Sequence, residues 1–241
     1  MRFLLLAVAL TAALPLTVGA QELHVLSGGA AKSLVEPMAA SFPGGKVDVQ
    51  FQPMGKLFES LAAGANVDMV IVTEEMVSRL QGRAQPGAKA IARVGIGVAV
   101  NEKAPTPDIS TVDAFKRTLL AAKSIVYIDP KVGTSGKHVA EVLERLGIAK
   151  EVNAKARLGS GGYIVEPVGK GEIELGLHQI SEIIPVKGVK LVGELPRELQ
   201  KYTVYVAVPV KSSPAVAAFI DHLTGPQAKS RLAQAGYTAP E

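Results

Sequence analysis

The stretch Asp129-Pro130-Lys131-Val132-Gly133-Thr134-Ser135-Gly136-Lys137 joins a short apolar run to a helical pattern. The run before it, Ser124-Ile125-Val126-Tyr127-Ile128, predicts a buried strand. After it, apolar residues recur at the spacing that gives a helix one buried face: Val139, Val142, Leu143 and Leu146. A strand that leads through a short loop into a helix is the repeating unit of α/β folds, so this stretch favours that class.

The same stretch is suited to holding an anion. Several backbone N–H groups at a helix start have no intrahelical partner, and the helix dipole is positive there. Thr134 and Ser135 add hydroxyl donors, and Lys137 adds a positive charge. Gly133 and Gly136 allow a ligand to approach the backbone closely. Helix capping and turn formation are the alternative explanation for these residues, and both explanations stay open here.

Sharper catalytic motifs are absent from the sequence. A phosphate-binding P-loop needs a glycine and a hydroxyl residue where Lys131 and His138 stand, and a hydrolase nucleophile elbow needs a second glycine in place of Lys137. The chain has no cysteine, no His-Glu-x-x-His, no dinucleotide-binding fingerprint at its first strand and no acidic cluster suited to calcium or magnesium. We therefore expect no metal site and no cofactor.

The first 20 residues predict a secretory signal peptide. Arg2 precedes an apolar run over residues 3–16, and the small residues Val18-Gly19-Ala20 suit a cleavage site before Gln21. No other segment approaches the length of a membrane span. Without cysteine the chain can carry neither a lipid anchor on that residue nor a disulfide. A freely soluble protein in the periplasm of a Gram-negative bacterium fits these features.

Composition favours a small anion as the partner. The formal net charge is +4, and the basic residues are scattered along the chain instead of forming a patch. Tryptophan is absent and only five Tyr and six Phe occur, so little material is present for stacking on bases or sugars. We expect a monomer that binds a small anionic ligand and no nucleic acid.

Alternation of strand and helix patterns continues along the chain. Strand patterns cover residues 22–26, 47–51 and 67–72, and helix patterns follow the first two. Ligands of parallel sheets collect beyond the carboxyl ends of the strands, here the loops at 27–30, 54–56 and 73–75. These loops predict the binding residues of the first half of the chain: Ser27, Gly28, Gly29, Ala30, Met54, Gly55, Lys56 and Thr73.

A change of lobe is predicted after a strand over residues 93–100, because residues 101–110 contain Pro105 and Pro107. The second lobe, 101–199, holds the opening stretch, a glycine-rich turn at 159–162 and a strand at 174–179. A strand over 202–208 and two helices then return to the first lobe, which comprises 21–100 plus 200–241.

The chain resembles the periplasmic solute-binding proteins of bacterial ABC transporters, in their molybdate-binding-protein-like branch. The motifs that carry this resemblance are Val25-Leu26-Ser27-Gly28-Gly29-Ala30, Arg93-Val94-Gly95-Ile96-Gly97-Val98-Ala99-Val100, Asp129-Pro130 with Gly133-Thr134-Ser135-Gly136, Gln179-Ile180-Ser181-Glu182-Ile183, and Thr224-Gly225-Pro226-Gln227-Ala228. The resemblance implies the type II periplasmic-binding-protein fold, an α/β fold of two lobes with mixed, mostly parallel sheets flanked by helices. It also implies hinge closure on a small anion and an ABC permease of the inner membrane as partner.

Departures from the molybdate pattern favour an organic di- or tricarboxylate over molybdate, although both stay open. Molybdate binders of this branch have a serine in the second loop and a tyrosine in the second lobe. Here the second loop is Met54-Gly55-Lys56, and His178 or Gln179 stands at the place of the tyrosine. A lysine at the mouth of a cleft suits carboxylates.

The resemblance brings an enzyme as the alternative, because a protein similar to this branch is an aconitate isomerase. An allylic proton shift on a tricarboxylate needs a base and several cationic or N–H donors. On this interpretation the candidate proton carriers are Lys56, His178 and Glu182. The sequence does not select among them.

Overall fold

The computed structural model describes residues 22–240, so the predicted signal peptide lies outside the described residues. The strands are β1 (Leu23–Gly28), β2 (Val47–Gln52), β3 (Met69–Thr73), β4 (Lys89–Val94), β5 (Ile96–Asn101), β6 (Ile125–Ile128), β7 (Ala156–Gly159), β8 (Leu175–Gln179), β9 (Val189–Glu194) and β10 (Thr203–Pro209). The α-helices are α1 (Lys32–Ala40), α2 (Met54–Ala62), α3 (Val112–Ala121), α4 (Thr134–Arg145), α5 (Ala149–Asn153), α6 (Glu166–Gly169), α7 (Ile180–Ile183), α8 (Pro214–Thr224) and α9 (Pro226–Arg231). Two 3-10 helices, Gly29–Ala31 and Glu74–Leu80, follow β1 and β3.

The strands form two mixed five-stranded sheets, one in each lobe. The first has the order β2-β1-β3-β10-β4, in which β1 runs parallel to β2 and β3 while β10 is antiparallel to both its neighbours. The second has the order β7-β6-β8-β5-β9, in which β6 runs parallel to β7 and β8 while β5 is antiparallel to both its neighbours. The predicted two-lobe α/β fold is confirmed.

Apolar cores cover both faces of the first sheet, because successive side chains of a strand point to opposite faces. In β3, Met69 and Ile71 join the core under α1 and α8, while Val70 and Val72 join the core under α2. A strand buried on both faces has no polar alternation, which explains the continuous apolar run in this part of the sequence.

The chain changes sheet at Gly95. The sequence predicts one strand over 93–100, but β4 pairs in the first sheet and β5 in the second. The side chain of Gln200 accepts a hydrogen bond from Ile96 N (3.0 Å) and donates one to Ile96 O (2.9 Å), which joins the two crossing segments. A Cβ on Gly95 would lie 2.8 Å from Gln200 Nε2, so a side chain at this position would displace the Gln200 amide from these bonds. The lobe limits at 100 and 199 remain predictions, since strand pairing places the second change between Glu194 and Thr203.

Two of the predicted binding loops are the first turns of helices. Helix α2 begins at Met54 after Pro53, and α4 begins at Thr134 after Gly133. Strand β9 and the short helices α5 and α7 have no counterpart among the predicted elements. Within residues 22–240, no helix has the length and apolar character that crossing a membrane requires.

Candidate functional site

A cleft of about 290 Å³ lies between the two lobes. The first lobe lines it with the segments that follow β1 and β2, and with Tyr205 of β10. The second lobe lines it with the start of α4, with the loop 160–163, and with the end of β8 and α7. The cleft therefore lies where the carboxyl ends of strands from both sheets meet, as expected for α/β sheets.

Apart from the four-residue helix α7, three helical segments of the described chain begin at this cleft, and none has a side chain that caps its N-terminus. They are the continuous 3-10 and α-helical segment over 29–40, α2 and α4, which follow Gly28, Pro53 and Gly133 respectively. The first N–H groups of an α-helix have no intrahelical acceptor. With the positive ends of the helix dipoles, they make the cleft a favourable place for negative charge.

The predicted residues at the start of α4 have two different roles. Gly133, Thr134 and Ser135 line the cleft, where the two hydroxyl groups add to the backbone donors. Gly136 is buried, and a Cβ there would overlap the carbonyl oxygen of Ile128. Gly136 thus lets α4 pack against the end of β6, and this close approach holds Thr134 and Ser135 at the cleft.

The loop Ser160-Gly161-Gly162-Tyr163 forms part of the second lobe's wall. Gly161 and Gly162 have φ angles of +134° and +69°, in the region that favours glycine. A Cβ on Gly161 would lie 2.9 Å from Cγ of Pro53, so the two lobes touch at this rim of the cleft.

The side chains of His178 and Glu182 form a buried pair in the wall of the cleft. Nε2 of His178 lies 3.1 Å from Oε2 of Glu182 and 3.0 Å from the carbonyl oxygen of Gly162. Both neighbours are acceptors, so Nε2 carries a proton and donates. The side chain of His178 is 2% exposed and that of Glu182 is 10% exposed. Nδ1 of His178 is buried and has no hydrogen-bond partner among the described residues.

The surroundings of His178 favour its charged form. Burial lowers its pKa, but the charge of Glu182 and the hydrogen bonds to Glu182 and to the Gly162 carbonyl outweigh it, so the pKa is raised. Because α7 follows β8 directly, the four-residue spacing places both side chains on one side of the cleft. The structure thus joins two of the predicted proton carriers, His178 and Glu182, in one hydrogen-bonded unit.

The predicted residue Gln179 connects the two lobes. Its side-chain oxygen accepts a 3.0 Å hydrogen bond from the hydroxyl of Tyr205, and its nitrogen donates a 3.1 Å bond to Thr203 Oγ1. Burial and the charge of Glu182 raise the pKa of Tyr205 well above its ordinary value, so its hydroxyl stays protonated. Gln179 belongs to β8 of the second sheet and Tyr205 to β10 of the first, so this bond fixes the floor of the cleft.

Lys32 brings an ammonium group into the cleft, and the sequence reasoning did not single it out. It is the first residue of α1, and its side chain is 38% exposed. Its Nζ lies 5.8 Å from the ring centroid of Phe51 and 5.9 Å from that of Tyr163. The sequence did contain an indication that Lys32 lies near the cleft, since it follows the strand-end loop at 27–30 by two residues.

Lys56 does not line this cleft. It lies in the first turn of α2, its side chain is 66% exposed, and its Nζ is 3.6 Å from a carboxylate oxygen of Glu59. Gly55, the second residue of the same helix, does not line the cleft either. Of the second predicted loop, the structure brings only Met54 to the cleft.

The remaining predicted residues lie behind or beside the cleft. Ser27 is fully buried and its hydroxyl donates to the carbonyl oxygen of Gly28. A Cβ on Gly28 would overlap the side chain of Met54, so this glycine provides packing space, while Gly29 and Ala30 do line the cleft. Thr73 and Lys137 line a second, smaller interlobe cavity of about 100 Å³. Among residues 22–240, no group of three or more His, Cys, Asp or Glu side chains is placed to hold a metal ion.

Two α/β lobes around an interlobe cleft define the architecture of solute-binding proteins that close on their ligands. The sequence profile of the family described as bacterial extracellular solute-binding protein matches residues 23–238. The chain therefore belongs to this family, in the molybdate-binding-protein-like branch that also includes an aconitate isomerase.

Three relatives define this placement. An aconitate isomerase from Pseudomonas sp is 32% identical, over 97% of this chain and 92% of the isomerase. The molybdate-binding protein ModA of Escherichia coli (strain K12) is 27% identical, over 90% of this chain and 89% of ModA. The solved periplasmic molybdate-binding protein of Azotobacter vinelandii has a TM-score of 0.76 at 20% identity, covering 91% of this chain and 100% of that chain. This last likeness concerns the fold.

Proposed function

We propose that this protein binds a small organic di- or tricarboxylate in the interlobe cleft and does so in the periplasm. The observation that carries the proposal is the set of three uncapped helix starts at the cleft, preceded by Gly28, Pro53 and Gly133. Unpaired N–H groups and helix dipoles stabilise an anion without any metal. The family and its relatives, an aconitate isomerase and a molybdate-binding protein, support a small anion as the ligand.

Two features of the cleft favour a carboxylate over a tetrahedral oxyanion. The second loop, Met54-Gly55-Lys56, has no serine where molybdate binders resembling this branch have one, so the first lobe offers one hydroxyl donor fewer. The volume of about 290 Å³ is close to the lower end of pockets that hold small organic ligands.

A second candidate function, isomerisation of a bound tricarboxylate such as aconitate, is favoured by the position of Glu182. A carboxylate in the wall of an anion site opposes passive binding through like-charge repulsion. The same group is useful where a proton must be moved, and His178 at 3.1 Å offsets its charge. The aconitate isomerase relative, aligned over 97% of this chain, supports this candidate.

The proton shift balances without a cofactor. The carboxylate of Glu182 would take a proton from the methylene carbon next to the double bond. The electrons of that C–H bond form a new double bond to the central carbon, and those of the old double bond move to the former vinyl carbon. Glu182 would then deliver a proton to the former vinyl carbon, and exchange of its carboxyl proton with solvent before this delivery would place deuterium there in heavy water. The N–H groups at the helix starts and the protonated His178 would stabilise the negative charge that develops on the substrate carboxylates. Glu182 is the catalytic residue in this scheme, and His178 positions it.

Thermal unfolding of the purified protein tests the ligand class, with molybdate, tungstate, sulfate, phosphate, citrate, and cis- and trans-aconitate as probes. A ligand at 100 times its dissociation constant adds about 2.7 kcal/mol to the free energy of unfolding. We expect stabilisation by the tricarboxylates. Stabilisation by molybdate or tungstate alone would contradict the proposal.

Proton NMR of cis-aconitate incubated with the protein in heavy water tests the isomerase. Appearance of the trans isomer, with deuterium at the methylene carbon, is expected for wild type and for Glu59→Gln, an exposed control outside the cleft. Glu182→Gln should bind the ligand and lose turnover by about 100-fold or more. Tight binding without turnover in wild type would reject the isomerase and leave a carrier that delivers its ligand to an ABC permease.

A further inference from the structure

Among the described residues, Lys32 has a position that no other lysine or arginine shares. Among the described residues that line the cleft, it is the one lysine or arginine. As the first residue of α1, it also follows the 3-10 turn whose Gly29 and Ala30 line the cleft. A positive charge on a long side chain therefore lies beside backbone N–H donors.

The ammonium group of Lys32 lies between two aromatic rings from opposite lobes. Phe51 lies near the carboxyl end of β2 in the first sheet, and Tyr163 belongs to the glycine-rich loop of the second lobe. Distances of 5.8 and 5.9 Å to the ring centroids are at the outer limit of cation–π contacts. The charge therefore lies near one ring from each lobe, where the two lobes meet.

Lys32 is not committed to a strong partner within the protein. Its ion pair with Glu36 is loose, with 3.8 Å between Nζ and Oε1, and the side chain of Glu36 faces solvent. Exposed pairs at this helical spacing stabilise little. The ammonium group can therefore exchange Glu36 for a carboxylate of a ligand.

The shape of the ligand decides whether this charge matters. A tetrahedral oxyanion concentrates its charge on one centre, which the N–H groups of the helix starts can surround. A polycarboxylate distributes its charge over several ångströms, so one carboxylate at the start of α4 leaves another that needs a separate cation.

We propose that Lys32 is the specificity-determining residue of the cleft, which binds a second carboxylate of the ligand and so selects polycarboxylates over compact oxyanions. This inference rests on the proposed function, because it assumes a carboxylate ligand in the same cleft. It assigns to Lys32 the role that the sequence suggested for Lys56.

Calorimetric titration of Lys32→Met with citrate and trans-aconitate tests the proposal, and Lys56→Met is the matched control. Both lysines lie in the first turn of a helix and pair loosely with a glutamate on the same helix, but only Lys32 lines the cleft. We expect Lys32→Met to weaken tricarboxylate binding by about tenfold or more, as loss of a charge-assisted hydrogen bond does. Lys56→Met should change it less than about twofold, and Lys32→Arg should retain most of it.

The outcomes separate the two proposals. If wild type binds no carboxylate, the proposed function and this inference are both overturned. If wild type binds tricarboxylates and Lys32→Met binds them equally well, only the role of Lys32 is overturned. If Lys56→Met loses as much affinity as Lys32→Met, the net charge of the protein explains the effect, and the role of Lys32 is again overturned. The melting temperature of each variant without ligand verifies that it is folded. If Lys32→Met does not fold, Lys32→Gln serves as a second variant.

Discussion

The hydroxyl group of Tyr237 donates a 2.6 Å hydrogen bond to the carbonyl oxygen of Ala30, a residue of the cleft wall. The hydroxyl of Ser181 donates a second bond of 2.8 Å to the same oxygen. Ser181 directly precedes Glu182 in α7, so one carbonyl group ties the C-terminal segment and the helix of the candidate base to the loop after β1.

Replacing Tyr237 with Phe should lower the free energy of unfolding by about 1–2 kcal/mol, because Ala30 loses one of two buried donors and the 2.9 Å hydrogen bond between the Tyr237 hydroxyl and Ser33 Oγ is lost as well. Tyr202→Phe is the control, since it removes a hydroxyl bond to Glu194 at an exposed position. Its cost should be smaller. Urea unfolding measures both variants, and equal losses would show that the buried bond to Ala30 has no special weight.

Two glycines in the first turns of helices should respond oppositely to alanine. A Cβ on Gly136 of α4 would overlap the Ile128 carbonyl oxygen, so Gly136→Ala should cost about 1–3 kcal/mol. Nothing lies within 4 Å of a Cβ on Gly55 of α2, so Gly55→Ala should stabilise by about 0.5–1 kcal/mol. Chemical denaturation of both variants measures the difference. A neutral Gly136→Ala would contradict the close contact between α4 and β6.

The raised pKa of His178 predicts how stability depends on pH. A pKa that is higher in the folded protein than its ordinary value of 6.5 means that protonation stabilises the fold. This contribution is fully present below about pH 6.5 and is lost as the pH rises through the folded pKa. Each tenfold gain in proton affinity on folding corresponds to about 1.4 kcal/mol.

The difference in unfolding free energy between wild type and His178→Gln isolates this effect, because His24, His138 and His222 are common to both proteins. We expect the difference to fall as the pH is raised from 6 to 9. A difference that grows with pH would mean that His178 is neutral in the folded protein beside Glu182.

Much of the fold follows from local patterns. The apolar run over residues 67–72 and the helical spacing from Val139 to Leu146 reflect burial that each segment needs wherever it packs. The split of the predicted strand at Gly95 does not follow from such patterns. Both halves are apolar and extended, and only the pairing with β10 on one side and β8 on the other divides them.

The candidate site was partly visible in the sequence for a similar reason. Strand ends in an α/β sheet lie at one edge, so the cleft-lining residues Gly29, Ala30, Thr134 and Ser135 were predicted from their places after strands, while Gln179 came from the family resemblance. The pair of His178 and Glu182 was not selected, because their contact depends on α7 continuing directly from β8 and on the Gly162 carbonyl that faces Nε2.

By itself, the sequence determined the α/β class, the order of most strands and helices, and the sheet edge that borders the cleft, because these depend on periodicity and on groups close along the chain. The tertiary structure decided which of two lysines lines the cleft. Lys32 and Lys56 both lie in the first turn of a helix after a strand of the first sheet, and no local pattern separates them. Lys32 lies between the rings of Phe51 and Tyr163, and Tyr163 comes from the other lobe. A contact between lobes depends on how two sheets pack together, which no local spacing encodes.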